Sequence, residues 1–430
     1  MKKLSIAVLF FCFGTMSLFA QPATQAFDAD GIKVIFKPTT KKAIDIRIYF
    51  KGGVTNYDAN QAGIEEVALN AAAQCGTKKY NPAALRDSSD KFGILLNGTS
   101  TYDYGFIQMN CISKYFDRAW DLFSEVVMNP VFDDDEVKRL KDKEIGASRK
   151  FDSSPDGRLY ELQIQNAFRN TPYAVNPMGT EETIKKFTSL DLKNYYHSIL
   201  NKKRVFIVVV GNVDKQEIFE KILLAFADMP ATPHLQPDLN SPILNDNKLL
   251  TEARDIKINY IGAVMNAPAF SDINYVPFRL GISGLGGNLY QYLHTQRNLS
   301  YQTGTAVFAK KIPFAVMFAV SNDVRDAMEA MLLKLRQIQM GGLNDEWLQH
   351  LKNIYLTSSF INDQSSSSIA ARLGESEVLG GWQYADDLSK LVQMTTVQQV
   401  NNALNYYIVG LRWTLLGKPE AIEGIKPPAY

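Results

Sequence analysis

The order strand, helix, two strands, helix pair, helix, apolar strand occurs twice along this sequence, and duplication narrows the possible folds more than any other feature. In the first copy, "AIDIRIYFKGG" places Ile44, Ile46, Ile48 and Phe50 at alternate positions, the period of a half-buried strand. Ile64, Val67, Ala68, Ala71 and Cys75 then recur at three- and four-residue steps, which predicts a helix with one buried face. "GILLNGTSTYDYGFIQMNCI" reads as two strands, and "FDRAWDLFSEVVMNP" as an amphipathic helix stopped by Pro130. "FDDDEVKRLKDKEIGASRK" opens with a cap and first-turn acids, and basic residues follow. A helix and the apolar run Val205–Val210 close the copy.

The stretch "MPATPHLQPDLNSP" holds four prolines between periodic segments and reads as a linker. Beyond it the order returns. "DIKINYIGAVMNAP" is a strand, and "YVPFRLGISGLGGNLYQYLHTQRN" is helical around a Gly-rich break. "SYQTGTAVF" and "PFAVMFAVS" are strands, a helix pair follows, and "TVQQVNNALNYYIVGLRWTLLGKPEAI" repeats the helix-strand-Gly order of residues 191–211. The expected fold class is α+β: two homologous mixed α/β domains, residues 21–229 and 248–430, joined by a linker at 230–247. Such a pair forms a clamshell around a cleft. Duplication speaks to fold and says little about function.

Residues 1–20, "MKKLSIAVLFFCFGTMSLFA", combine Lys2 and Lys3, an apolar core and a small residue at Ala20, the pattern of a secretory signal. Its removal takes the formal charge from +1 to −1. A near-neutral chain without a basic run gives no reason to expect nucleic acid, and no later stretch has the ~20 apolar residues of a spanning helix. The mature part keeps Cys75 and Cys111, read as small hydrophobes in a core, although export would permit a disulfide.

Several landmarks across the mature chain resemble the insulinase/pitrilysin family of zinc peptidases, in the size class of the mitochondrial processing peptidase subunits. They are "AGIEEVALNAAAQCGT", "NPVFDDDEVKRLKDKEI", "TPYAVNPMGTEETIKKFTSLDLKNYY", "VFIVVVGNVD" and "GLGGNLYQYLHTQRNLSY". The resemblance implies two such domains around a peptide chamber. Active members carry His-x-x-Glu-His on the first helix: two imidazoles one turn apart hold zinc, and the Glu activates its water. A carboxylate on a later helix completes the ligand set.

Counted from Gly63, the matching positions here are Glu66, Leu69 and Asn70, and Ala147 falls where the third ligand would stand, with Glu144 the nearest acid. Leu69 takes no proton from water, and Asn70 offers a neutral oxygen where zinc prefers imidazole. The four histidines, His197, His234, His294 and His350, are too far apart in sequence for a relocated pair and read as surface or boundary residues. Glu65 and Glu66 read most simply as a solvated or capping acidic pair. The chain is therefore expected to hold no metal and no catalytic residue of its own.

In the second half, "Arg297-Asn298-Leu299-Ser300-Tyr301" keeps the family's Arg and Tyr four residues apart. The resemblance implies that both hold substrate beside the cleaved bond, where guanidinium and phenol stabilise developing negative charge. Gly286 and Gly287 read as permitting an unusual turn in the preceding loop. The expectation is a non-catalytic, substrate-binding subunit of an exported, periplasmic heterodimeric zinc metalloendopeptidase. Zinc would sit in a paralogous partner subunit, and substrates would be peptides or unfolded segments enclosed as the halves close. The alternative is a catalyst-free binding or assembly protein. A serine enzyme built on "QSSSSIAARLGES" finds no acid/base set, and that run reads as a loop or helix start.

Overall fold

The structure, a computed structural model, describes residues 23–430, so the leader expected at residues 1–20 lies outside the described residues. The first half runs β1 (Gln25–Ala29), β2 (Ile32–Pro38), β3 (Ala43–Lys51), α1 (Ile64–Gln74), α2 (Pro82–Phe92), β4 (Leu95–Ser100) and β5 (Tyr104–Ile112). It continues through α3 (Phe116–Met128), α4 (Asp134–Ser153), α5 (Pro155–Phe168), α6 (Glu181–Lys186), α7 (Ser189–Ile199), β6 (Val205–Gly211) and α8 (Lys215–Phe226). The second half runs β7 (Asn247–Ala253), β8 (Asn259–Asn266), α9 (Tyr275–Leu289), β9 (Gln302–Phe308), β10 (Phe314–Ser321), α10 (Val324–Gln339) and α11 (Asp345–Asn362). Then come α12 (Ser366–Leu379), α13 (Gln383–Met394), α14 (Val397–Tyr407), β11 (Leu411–Gly417) and α15 (Pro419–Ile422).

The strand orders are β1-β2-β6-β3-β5-β4 and β7-β11-β8-β10-β9. Without β1 they are one order written twice. In each sheet the first strand of the repeat pairs parallel with the last (β2 with β6, β7 with β11), and all other neighbours are antiparallel. The added β1 pairs with β2 through a tight turn in which Asp30 has φ 53 and Gly31 φ 82, the twist a two-residue hairpin needs.

Helix exchange joins the halves. The helices α1, α3 and α7 cover one face of the first sheet, while α12, from the second half, packs on β3 and β6 across its other face. There Ile369, Ala370 and Leu373 meet Ile35, Tyr49, Phe206 and Val208. Reciprocally, α5 of the first half lies across β8 and β11, with Leu159 and Leu162 against Leu416. The approach is close at both crossings: a Cβ on Gly374 would stand 2.1 Å from the Tyr49 ring, and one on Gly262 2.2 Å from Gln163 Nε2. The serine-rich run starts α12 and anchors it. Ser366 Oγ donates to the Ala43 carbonyl at 2.8 Å, and Arg47 Nη2 donates to Ser367 Oγ at 2.8 Å.

The Gly-rich break expected within residues 275–298 is not there, because α9 passes unbroken through Gly281, Gly284, Gly286 and Gly287. Its apolar residues are buried, and these glycines make room for neighbours rather than a turn. A Cβ on Gly286 would lie 2.7 Å from Thr305 Oγ1, and one on Gly287 3.2 Å from the Trp347 ring. Beyond Leu289 the chain continues as a π-helical segment, Tyr290–Gln296. Residues 230–245 carry no regular structure, and main-chain bonds tie down both ends: Lys202 N to the Pro230 carbonyl at 2.8 Å, and Leu244 N to Asn266 Oδ1 at 3.0 Å. Cys75 and Cys111 are free and buried.

Candidate functional site

Backbone contact seats the first helix. Gly63 begins α1 with φ 86 and Gly179 has φ 73; a Cβ on Gly63 would fall 2.6 Å from Gly179 Cα. Thr183 Oγ1 donates to the Ala62 carbonyl at 2.7 Å, and Thr180 closes a capping box on α6. The "AGIEE" and "GTEET" stretches are thus pressed together, and α4 joins them where Ser148 Oγ donates to the Gly179 carbonyl at 3.3 Å. On the opposite side of α1, a Cβ on Gly98 of edge strand β4 would stand 2.1 Å from the Leu69 carbonyl.

Glu65 and Glu66 are not a solvated pair. Glu65 is fully buried and accepts from Tyr195 OH at 2.5 Å, Asn56 Nδ2 at 2.8 Å and Ser100 Oγ at 3.1 Å. Burial pushes its carboxyl up to about 7, against the pull of those donors and of the Arg204 charge. Glu66 accepts from the Ser100 N–H, from Thr99 Oγ1 at 2.9 Å and from Asn70 Nδ2 at 3.1 Å. It too is raised to about 7, by burial first and then by the negative charges of Glu144 and Glu65. The helical wheel carries the signal that sequence reasoning missed: Glu65, Leu69 and Ala72 share one stripe, and the last two are apolar.

Leu69 is fully buried, and a Cβ on Gly105 would collide with its Cδ1 at 2.3 Å. Asn70 turns its amide N–H toward Glu66, while its oxygen accepts from Gln74 Nε2 at 3.0 Å. The half-buried Ala147 brings no donor atom; Glu144, one turn back on α4, is the acid that faces Glu66. Among the described residues no group of three or more His, Cys, Asp or Glu side chains is arranged to hold a metal ion. A buried leucine, an amide already engaged on both its atoms, and a carboxyl that favours its proton do not fit zinc. His197 and His350 are exposed, and His234 and His294 half-buried.

Arg297 and Tyr301 stand where the π-helical segment ends and β9 begins. Asn298, at φ 51, turns the chain between them, and Leu299 N and Ser300 N both donate to the Leu293 carbonyl, at 2.7 and 3.2 Å. The Arg297 guanidinium lies over the Tyr292 ring at 5.8 Å, donating to Tyr292 OH at 3.2 Å and Asp326 Oδ2 at 3.3 Å. Tyr301 is 75% exposed. Its ring meets His294 edge-on at 6.1 Å, and His294 in turn stacks on Tyr290 at 4.7 Å. Both members of the pair reach solvent. They share no hydrogen bond or ion pair with Glu66, Leu69 or Asn70. Between the halves, a cavity of about 740 Å³ is lined by Tyr102, Tyr160 and Tyr173 and by the ion-paired Arg158, Glu161 and Glu252; neither Arg297 nor Tyr301 lines it.

Twin α/β sheets, with a peptidase-type helix whose metal-binding positions hold side chains unsuited to zinc, define a metallopeptidase-like class of protein. The family described as "Insulinase (Peptidase family M16)" matches residues 33–181, and "Peptidase M16 inactive domain" matches residues 186–355. The chain belongs to the M16 insulinase family. Among its relatives, the Helicobacter pylori "Non-peptidase homolog YmxG" is 23% identical over 379 residues, covering 86% of this chain and 87% of that one. The "Zinc protease PqqE" of the same species is 22% identical over 363 residues, covering 80% of each. A solved structure described as a protease from Helicobacter pylori superposes with a TM-score of 0.85 at 19% identity, covering 93% of this chain and all of that one, a likeness of fold.

Proposed function

We propose that this chain is the non-catalytic, substrate-binding subunit of an exported heterodimeric zinc metalloendopeptidase, acting in the periplasm beside a zinc-bearing paralogue. One observation carries the reading: Glu66, Leu69 and Asn70 are committed to packing and internal hydrogen bonds, while Arg297 and Tyr301 remain open to solvent. Support comes also from the two Helicobacter pylori relatives, one named a zinc protease and the other a non-peptidase homolog.

In this reading the partner supplies metal and activated water. Arg297 donates to a substrate carbonyl or carboxylate, and the Tyr301 phenol stabilises the charge that grows on the attacked carbonyl. Substrate is an extended peptide or unfolded segment added to a sheet edge; β4 and β9 are edge strands of the two sheets. Because α5 and α12 are exchanged between the sheets, the moving boundary is the one with the partner rather than the linker.

The test is a peptidase assay of the chain reconstituted with its zinc-bearing paralogue. Arg297→Ala and Tyr301→Phe are each expected to lower kcat/KM about 100-fold, the scale of losing one oxyanion contact. An unchanged rate in both variants would favour a binding or assembly protein instead. Stoichiometric zinc together with chelator-sensitive cleavage by this chain alone would overturn the reading.

A further inference from the structure

A second, smaller cleft of about 360 Å³ opens between α9, α11, α12 and the turn joining β9 to β10. Its size lies within the range of small-ligand pockets, roughly 300–1,000 Å³. Phe270 and Tyr275, both buried, and Tyr355 form its aromatic wall. Arg279, Lys310 and Glu375 line it as well. Among the described residues these three take part in no ion pair, and Glu375 accepts no hydrogen bond. Two charged pairs elsewhere along the seam are matched, Arg47 with Asp45 at 2.9 Å and Arg158 with Glu252 at 2.5 Å. Arg372, in the same cleft, is satisfied by Asp363 at 2.6 Å and by the Ala385 carbonyl at 2.5 Å.

Packing holds the three apart. The Arg279 guanidinium lies 4.9 Å over the Tyr355 ring, and the Lys310 ammonium 5.1 Å over the Tyr102 ring. Glu375 follows Gly374, whose contact with Tyr49 fixes the depth of α12. Lys310 is half-buried, and Arg279 and Glu375 line the cleft while reaching solvent, so a ligand of complementary charge gains ion pairs there at little desolvation cost to the protein.

We infer that this cleft binds an α-amino-acid zwitterion, free or as the ends of a short peptide, with its carboxylate on Arg279 and Lys310, its ammonium on Glu375 and its side chain against Phe270, Tyr275 and Tyr355. The charge set selects this class. A simple anion would leave Glu375 facing like charge, and a simple amine would leave both cations unmatched. Surrounding protein raises the proton affinity of Glu375, Lys310 opposes that rise, the Asp103 charge adds to it and Arg279 opposes it, so Glu375 lies in the field of both cations and of Asp103. A free amino acid and a dipeptide share this chemistry but differ in the span between their charged ends by about 3.5 Å per residue.

Calorimetric titration of the purified full chain tests it, with L-phenylalanine and glycyl-L-phenylalanine as ligands and N-acetyl-L-phenylalanine and L-phenylalanine amide as blocked controls. The expected result is one-to-one binding of an unblocked ligand, with each blocked form at least about tenfold weaker. The stronger of the two unblocked ligands identifies the source as a free amino acid or a peptide. Glu375→Gln and Arg279→Gln should each weaken binding about tenfold without moving the melting curve. Equal binding of blocked and unblocked ligands, or no binding heat at millimolar concentration, would overturn the inference. Neither of those outcomes depends on a variant that must fold.

Discussion

At position 69 a carboxylate would have nowhere to go. Leu69 sits beside Gly105 and is wholly enclosed, with buried Glu65 next to it, so its site has been absorbed into the core. Leu69→Glu is therefore expected to destabilise the fold by roughly 3 kcal/mol or more, read as a drop in the urea midpoint, because it buries an unpaired charge. Glu65 makes a second prediction. Burial lifts its carboxyl from 4.5 to about 7, so between those pH values the folded chain keeps a proton that the unfolded chain has released. Its contribution is complete below pH about 4.5 and is lost as pH rises through about 7, an effect on the order of 1–3 kcal/mol. Stability measured by urea unfolding should fall across that window, Glu66 acting in the same direction. Glu65→Gln should flatten the profile; an equally steep profile in that variant would place the titration elsewhere.

The helices and strands show where periodicity suffices. The three- and four-residue steps of α1 and the fully buried runs of β6 and β11 are written in their own residues. The alternation in β3 finds the strand but not its burial: it is buried on both faces rather than one, because α12 covers Arg47 and Tyr49. The β1–β2 hairpin had a usable signal in Asp30-Gly31 that went unread. The glycines of α9 misled in the other direction. In isolation they suggest a break, yet Thr305 and Trp347 need the space they leave. At the α12 crossing the same logic gives a test: Gly374→Ala would drive a methyl group into the Tyr49 ring. The expected loss is about 1–3 kcal/mol, measurable by thermal unfolding.

For the whole molecule, the exchange of α5 and α12 makes each half incomplete alone. Removing the second half would bare Tyr49, Phe206 and Val208 on the first sheet; removing the first would bare Leu416 on the second. Residues 23–229 and 248–430 made separately are expected to aggregate, and made together to associate into a soluble one-to-one complex, as sedimentation would show. Two soluble, monomeric halves would mean that the exchanged helices contribute little.

Local sequence determined the duplicated element order, the unsuitability of positions 66, 69 and 70 for zinc, and the spacing of Arg297 and Tyr301. Each of those depends on side-chain chemistry or on periods of two and 3.6 residues, which short windows reveal. Tertiary structure alone decided that Tyr195, Asn56 and Ser100 close around Glu65, that α9 runs straight through its glycines, that the halves trade helices, and that Arg279, Lys310 and Glu375 share one cleft. The reason is that burial, close approach and unmatched charge are set by residues distant in the chain, whose meeting no local pattern records.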